Sequence, residues 1–80
     1  MNWNVYAVKD ELSGEFFEPI YAENDVLATR DFKYKVNTID QWKYNSSDFS
    51  LFKLGSFDTK TGVYTSEIEK VAGGRSVVDE

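Results

Sequence analysis

Any chemistry in this chain has to be done without histidine or cysteine, because its 80 residues contain neither. The commonest general base, the commonest metal ligand and the thiolate nucleophile are therefore absent, which argues against zinc, copper and haem sites. Carboxylates remain. Asp10 with Glu11, and Glu67 with Glu69, are acid pairs of the kind that acid–base catalysis uses. Adjacent residues of a strand point to opposite faces, so Asp10 and Glu11 do not converge. Glu67 and Glu69 share a face, but an exposed strand decorated with acids accounts for them more simply. The run VAGGRS at 71–76 sets two glycines before Arg75 without the strand–loop–helix context of a phosphate cradle. No catalytic residue, cofactor or metal site is expected, and the chain reads as a non-enzyme.

A binding surface is the stronger candidate. Arg30, Lys33, Lys35, Trp42, Lys43 and Tyr44 bring cations and aromatic rings together within fifteen residues. Single-stranded nucleic acid is held by such a mixture, with cations on phosphates and rings stacked on bases at ~1–3 kcal/mol each. The competing reading is a solvated helix face followed by a loop whose Trp42 folds back onto the core, and composition alone favours it. Charge sets a further bound. Residues 1–28 carry one lysine against six acids, residues 29–56 five bases against three acids, and residues 57–80 three against five, for a net charge of −5. The chain as a whole repels nucleic acid, so any phosphate contact falls to the middle segment and is weak and salt-sensitive.

The elements that would position these residues can be read from pattern. NWNVYAVKD (2–10) mixes β-branched and aromatic residues with polar alternates and predicts a strand. FFEPIYA (16–22) predicts a second, which Pro19 confines to an edge or a bulge because it has no N–H to donate. From Asn24, a plausible N-cap, the apolar residues Ala28, Phe32 and Val36 recur at i, i+4 and i+8, the stripe of an amphipathic helix ending near Asn37. Residues 38–47 read as a polar connection. DFSLFKLGSF predicts the third strand, with a bulge at Gly55, and VYTSEIEKVA the fourth. DELSG (10–14) and DTKTG (58–62) share an Asp that can hold a turn through its side chain and a Gly for the left-handed exit residue.

These elements give an α+β domain, ββαββ, with a four-stranded antiparallel sheet and one helix packed on one face. The domain is expected over residues 1–72, followed by a flexible C-terminal tail at 73–80. Eighty residues with 16% aromatics can build one modest core, near the size at which self-association adds useful stability. The third strand is apolar on both faces, with Phe49 and Leu51 on one and Phe52 and Leu54 on the other. One helix covers only one face, so these four residues are the candidate oligomer interface of a homo-oligomer whose sheets stack back to back. No apolar run approaches the ~20 residues of a membrane span, and the N-terminus lacks the pattern of a signal peptide. No membrane partner is expected.

The two blocks ENDVLATRDFKYKVN and DFSLFKLGSFDTKTG, separated by a polar spacer, resemble the small non-structural protein of gokushovirus-like microviruses, phages with single-stranded DNA genomes. The matching positions include Asn24, Asp25, Ala28, Arg30, Phe32 and Val36 in the first block. In the second they include Asp48, Leu51, Leu54, Gly55, Asp58 and Gly62. The spacer NTIDQWKYNSSD departs from the proline-containing segment of relatives, which leaves Trp42 and Tyr44 outside the resemblance. The resemblance implies a protein of the host bacterial cytoplasm, made during infection and absent from the virion, which binds single-stranded DNA and assists viral DNA synthesis or packaging. Most of the shared positions read as structural; Arg30 is the exception, with an ion pair to Asp31 or Glu23 as the equal alternative. The competing function is a homo-oligomeric interaction module that contacts a phage or host replication protein without touching DNA.

Overall fold

The computed structural model describes residues 2–79 and has the expected plan. Strand β1 (Asn2–Asp10) is central, flanked on one side by two short pieces, β2 (Glu15–Phe16) and β3 (Ile20–Ala22). On its other side lies β4 (Phe49–Asp58), and β5 (Tyr64–Gly73) forms the far edge. Every pairing is antiparallel. The predicted second strand is thus one edge strand in two pieces. The Phe17 N–H still donates to the Val8 carbonyl at 2.8 Å, but Pro19 cannot pair, and the chain leaves the ladder there until Ile20.

Both predicted turns form in the same way. The Asp10 carboxylate accepts from the Leu12 N–H at 2.9 Å, and the Gly14 N–H closes onto the Asp10 carbonyl at 2.8 Å. Asp58 repeats this with Lys60 and Gly62, at 2.8 Å in each bond. Gly14 and Gly62 exit at φ 78° and 77°, the left-handed region where a side chain is strained. The Lys60 N–H bond holds the Asp58 carboxyl below its usual range.

Helix α1 (Asp25–Thr38) is capped by Asn24, whose side chain accepts from the Leu27 N–H at 2.9 Å. Its stripe of Ala28, Phe32 and Val36 is buried against Tyr6, Val8, Phe49 and Leu51 from the two central strands. The helix runs one residue past the expected stop, to Thr38 with Ile39 as its C-cap, while Asn37 lies within it and turns outward to the chain end. The stretch expected to be a plain connection instead contains α2 (Asp40–Tyr44) and a single 3₁₀ turn at Ser46–Asp48. These turns bring Trp42 back over the sheet.

The C-terminal segment departs from expectation. Residues 73–79 are not a loose tail: Gly74–Val77 form a last helical turn, α3, and Val77 and Val78 pack against the core. Asn37 clamps them, donating to the Val77 carbonyl at 3.1 Å and accepting from the Asp79 N–H at 2.6 Å. At Gly74 a Cβ would collide with the Ser46 carbonyl. Gly74 therefore allows close docking, and the folded unit extends through the described C-terminus.

Candidate nucleic-acid interface and the open sheet face

On α1, residues 30, 33, 34 and 37 follow the i, i+3, i+4, i+7 spacing of one helical stripe, and it faces away from the buried stripe of 28, 32 and 36. Arg30, Lys33 and Tyr34 are all exposed there, and with Asn37, Thr38 and Asp79 they line one shallow groove of about 350 Å³. Arg30 forms no ion pair among the described residues, with neither Asp31 nor Glu23 engaging it. Asp31 is taken by Lys35 at 3.1 Å, in the favourable acid-before-base i, i+4 order. Lys33 reaches Asp79 at 3.9 Å, but both side chains are more than half exposed, so this pair is worth little and is open to competition. Tyr34, 68% exposed, was not singled out by the sequence reading. Its signal was available, since it lies one helical turn from Arg30.

Trp42 is placed differently from a base-stacking ring. Its indole stacks on Phe49 with centroids 4.8 Å apart at 14°, and lies 5.1 Å from Phe17. The half-buried ring is packed against the core on the helix side of the sheet, so its faces serve the protein itself. Of the six candidates, then, Arg30 and Lys33 share the α1 stripe, while Lys35 sits on its flank in an ion pair. Lys43 and the strongly exposed Tyr44 follow on α2.

The candidate oligomer residues divide between the two faces. Phe49 and Leu51 point under α1 and are buried in the monomer's own core, at 8% and 0% exposure. They are therefore withdrawn from any surface. Phe52 points to the opposite face, where it meets Phe16 edge-on at 5.6 Å. Leu54 is half-buried at the bulge, outside the core cluster. The register shifts there because Leu54 is an extra residue: Val5 pairs with Gly55 and Tyr6 with Lys53. Gly55 is obligatory for a steric reason. A Cβ would strike the Thr65 carbonyl and the Tyr64 ring, which leans across it.

Opposite the helix the sheet stays open. Cross-strand pairing places Trp3 with Phe57, Phe57 with Tyr64, Val5 with Tyr21, and Phe52 with Lys70 on that face. Lys9 lies 5.7 Å from both the Phe16 and Phe52 rings. Val5 and Ala7 form a floor at 8% and 2% exposure, shaded by the larger side chains around them.

On the covered face, Tyr6 ties sheet to helix. The side chain is fully buried, and its hydroxyl donates to the Asp25 carboxylate at 2.5 Å while accepting from Asn4 at 3.3 Å. Burial, then the hydrogen bond to Asp25, push its pKa up to about 12. This is a structural tie at the helix start. Among the described residues no group of three or more Asp, Glu, His or Cys could hold a metal ion. No helix among them is long and apolar enough to cross a membrane.

Residues 3–77 match the family model described as Phage ORF5 protein, which covers nearly the whole chain and includes the docked C-terminal turn. No curated protein and no solved structure gives a significant match.

Proposed function

The chain belongs to the phage ORF5 protein family, and from that premise we propose that this phage accessory protein binds single-stranded DNA weakly, without catalysing a reaction. The outward face of the helical layer is the contact surface in this reading. The observation that carries it is the stripe of Arg30, Lys33 and Tyr34, in which Arg30 has no ion-pair partner among the described residues. Guanidinium and ammonium groups engage phosphates, and an exposed ring one turn away can stack on a base. Lys43 and Tyr44 extend the surface onto α2. Lys35, held by Asp31, contributes less.

The resemblance to the non-structural protein of gokushovirus-like microviruses makes the single-stranded phage genome the natural ligand. The role in this reading is assistance to viral DNA synthesis or packaging in the host cytoplasm. The net charge of −5 keeps the affinity low. With three or four cations engaged, log K falls with log salt at a slope of about −2 to −3.

The test is fluorescence anisotropy of labelled oligothymidylate titrated with protein at low and moderate salt. Binding that weakens with this slope, and drops about tenfold in Arg30→Ala and Tyr34→Ala, supports the reading. An absence of binding at low salt, or binding that both variants leave untouched, overturns it.

A further inference from the structure

We propose that the sheet face opposite α1 is closed by a second copy of this chain, the two sheets stacking face to face with their strands running in opposite directions. The proposal begins with what is left uncovered. Every helix packs on the other side, around the core of Tyr6, Phe32 and Leu51. The open side nevertheless presents Tyr21, Tyr64 and Phe16 at 67%, 47% and 43% exposure. Ile68, on the same side of β5 as Lys70 by the period of two, is 63% exposed. A small monomer rarely leaves so much contiguous apolar surface in water.

The extent of this face fits a dimer. Four strands about 4.8 Å apart, each contributing about eight residues at about 3.3 Å, give on the order of 500 Å² per copy. Two copies would bury roughly 1,000 Å², the lower bound for a specific interface, which predicts a reversible, concentration-dependent dimer.

The relief and charge of the face select the partner and its orientation. One end carries Lys9 beside Phe16 and Phe52, with Lys70 paired across from Phe52. The other end carries Trp3, Phe57 and Tyr64 in one cross-strand row, bordering a hollow of about 520 Å³ lined by Trp3, Tyr21, Phe57 and Thr59. Between them the Val5–Ala7 floor is low. A two-fold axis in the plane of the interface and perpendicular to the strands sets the lysine end of each copy over the aromatic end of the other. Ammonium groups then meet ring faces twice, a favourable cation–π arrangement. An axis along the strands would instead gather both lysine ends at one edge of the interface and set aromatic row on aromatic row, with no ammonium over the rings. The face is thus self-complementary in one orientation. The helical layers of such a dimer face outward on opposite sides, leaving both Arg30 stripes exposed.

Sedimentation velocity over a wide concentration range tests this, with and without oligothymidylate. Wild type is expected to shift from one chain mass of 9.2 kDa to twice that value as concentration rises. Ile68→Lys and Tyr21→Glu, at exposed positions that the monomer fold tolerates, should each raise the dissociation constant at least tenfold with unchanged circular dichroism. Val26→Lys, 76% exposed on the helix side, should leave it unchanged. Wild type that stays monomeric at the highest concentration overturns the proposal. So does a dimer that ignores the two sheet-face variants, or one lost in Val26→Lys. A wild-type monomer whose oligothymidylate binding is abolished by Tyr21→Glu would assign the face to nucleic acid instead.

Discussion

Replacing Tyr6 with Phe removes one oxygen from the most buried polar group of the fold, and its consequences can be worked out in advance. The side chain has no exposed surface, and its hydroxyl donates to Asp25 at the first turn of α1. A hydrogen bond to a charged acceptor contributes ~1.5–3 kcal/mol. Asp25 itself is exposed and regains water when the hydroxyl is lost, so no charge is left buried and unpaired. The expected cost is therefore about 1–2 kcal/mol near neutral pH, or roughly 4–16 °C in Tm for a domain of this size.

The pH dependence carries more information than the cost. Tyr6 has its pKa raised to about 12, so the folded state holds the phenolic proton more tightly than the unfolded chain. Its contribution to stability is fully present below about pH 10 and is lost as pH rises through about 12, with a limiting change on the order of 3 kcal/mol. Urea unfolding followed by circular dichroism, for wild type and Tyr6→Phe at several values between about pH 8 and pH 12, isolates this contribution because the other titrations cancel in the difference. The gap between the proteins should shrink above about pH 10 and then reverse. A gap that stays constant with pH, or a variant as stable as wild type near pH 8, would show that the Tyr6–Asp25 bond does not stabilise the fold.

Four further substitutions have expected outcomes. Gly55→Ala, driven against the Thr65 carbonyl, should cost about 2–3 kcal/mol. Gly62→Ala meets nothing within 4 Å and should lose only about 1 kcal/mol to its left-handed φ, which chemical denaturation of the pair will separate. Asn37→Ala removes both bonds that clamp the C-terminal turn, and trypsin should then cut after Arg75 faster while the thermal transition drops only modestly. Trp42→Ala should cost about 2–3 kcal/mol by opening the stack on Phe49 and Phe17, yet leave the DNA affinity of the folded protein unchanged. A fall in DNA affinity without loss of stability would return Trp42 to the interface.

The sequence alone determined those features whose physics is local. Asn24 before the Ala28–Phe32–Val36 stripe announced a capped amphipathic helix, because cap and period lie within four residues of one another. The paired Asp…Gly turns and the break at Pro19 were legible for the same reason, since φ and the missing N–H belong to single residues. Even the two-sidedness of β4 could be read, although not which side was taken. That depended on where α1 lands, and it sent Phe49 and Leu51 inward while leaving Phe52 on the open face.

The remaining features were decided by contacts between residues far apart in the chain. Two glycines and an acidic end read as a loose tail, but Asn37, forty positions from Val77, fastens that tail to the helix. For Trp42 the sequence offered two places, a base-stacking ring or a residue folded back onto the core, and two short helical turns decide for the core by packing it on Phe49 and Phe17. The grouping of Arg30 with Tyr34 was open to helical spacing alone, but the aromatic sheet face opposite α1 required the assembled fold. Local propensity fixes which elements form; which faces meet, and which remain for a partner, is settled only when distant side chains compete for the same buried space.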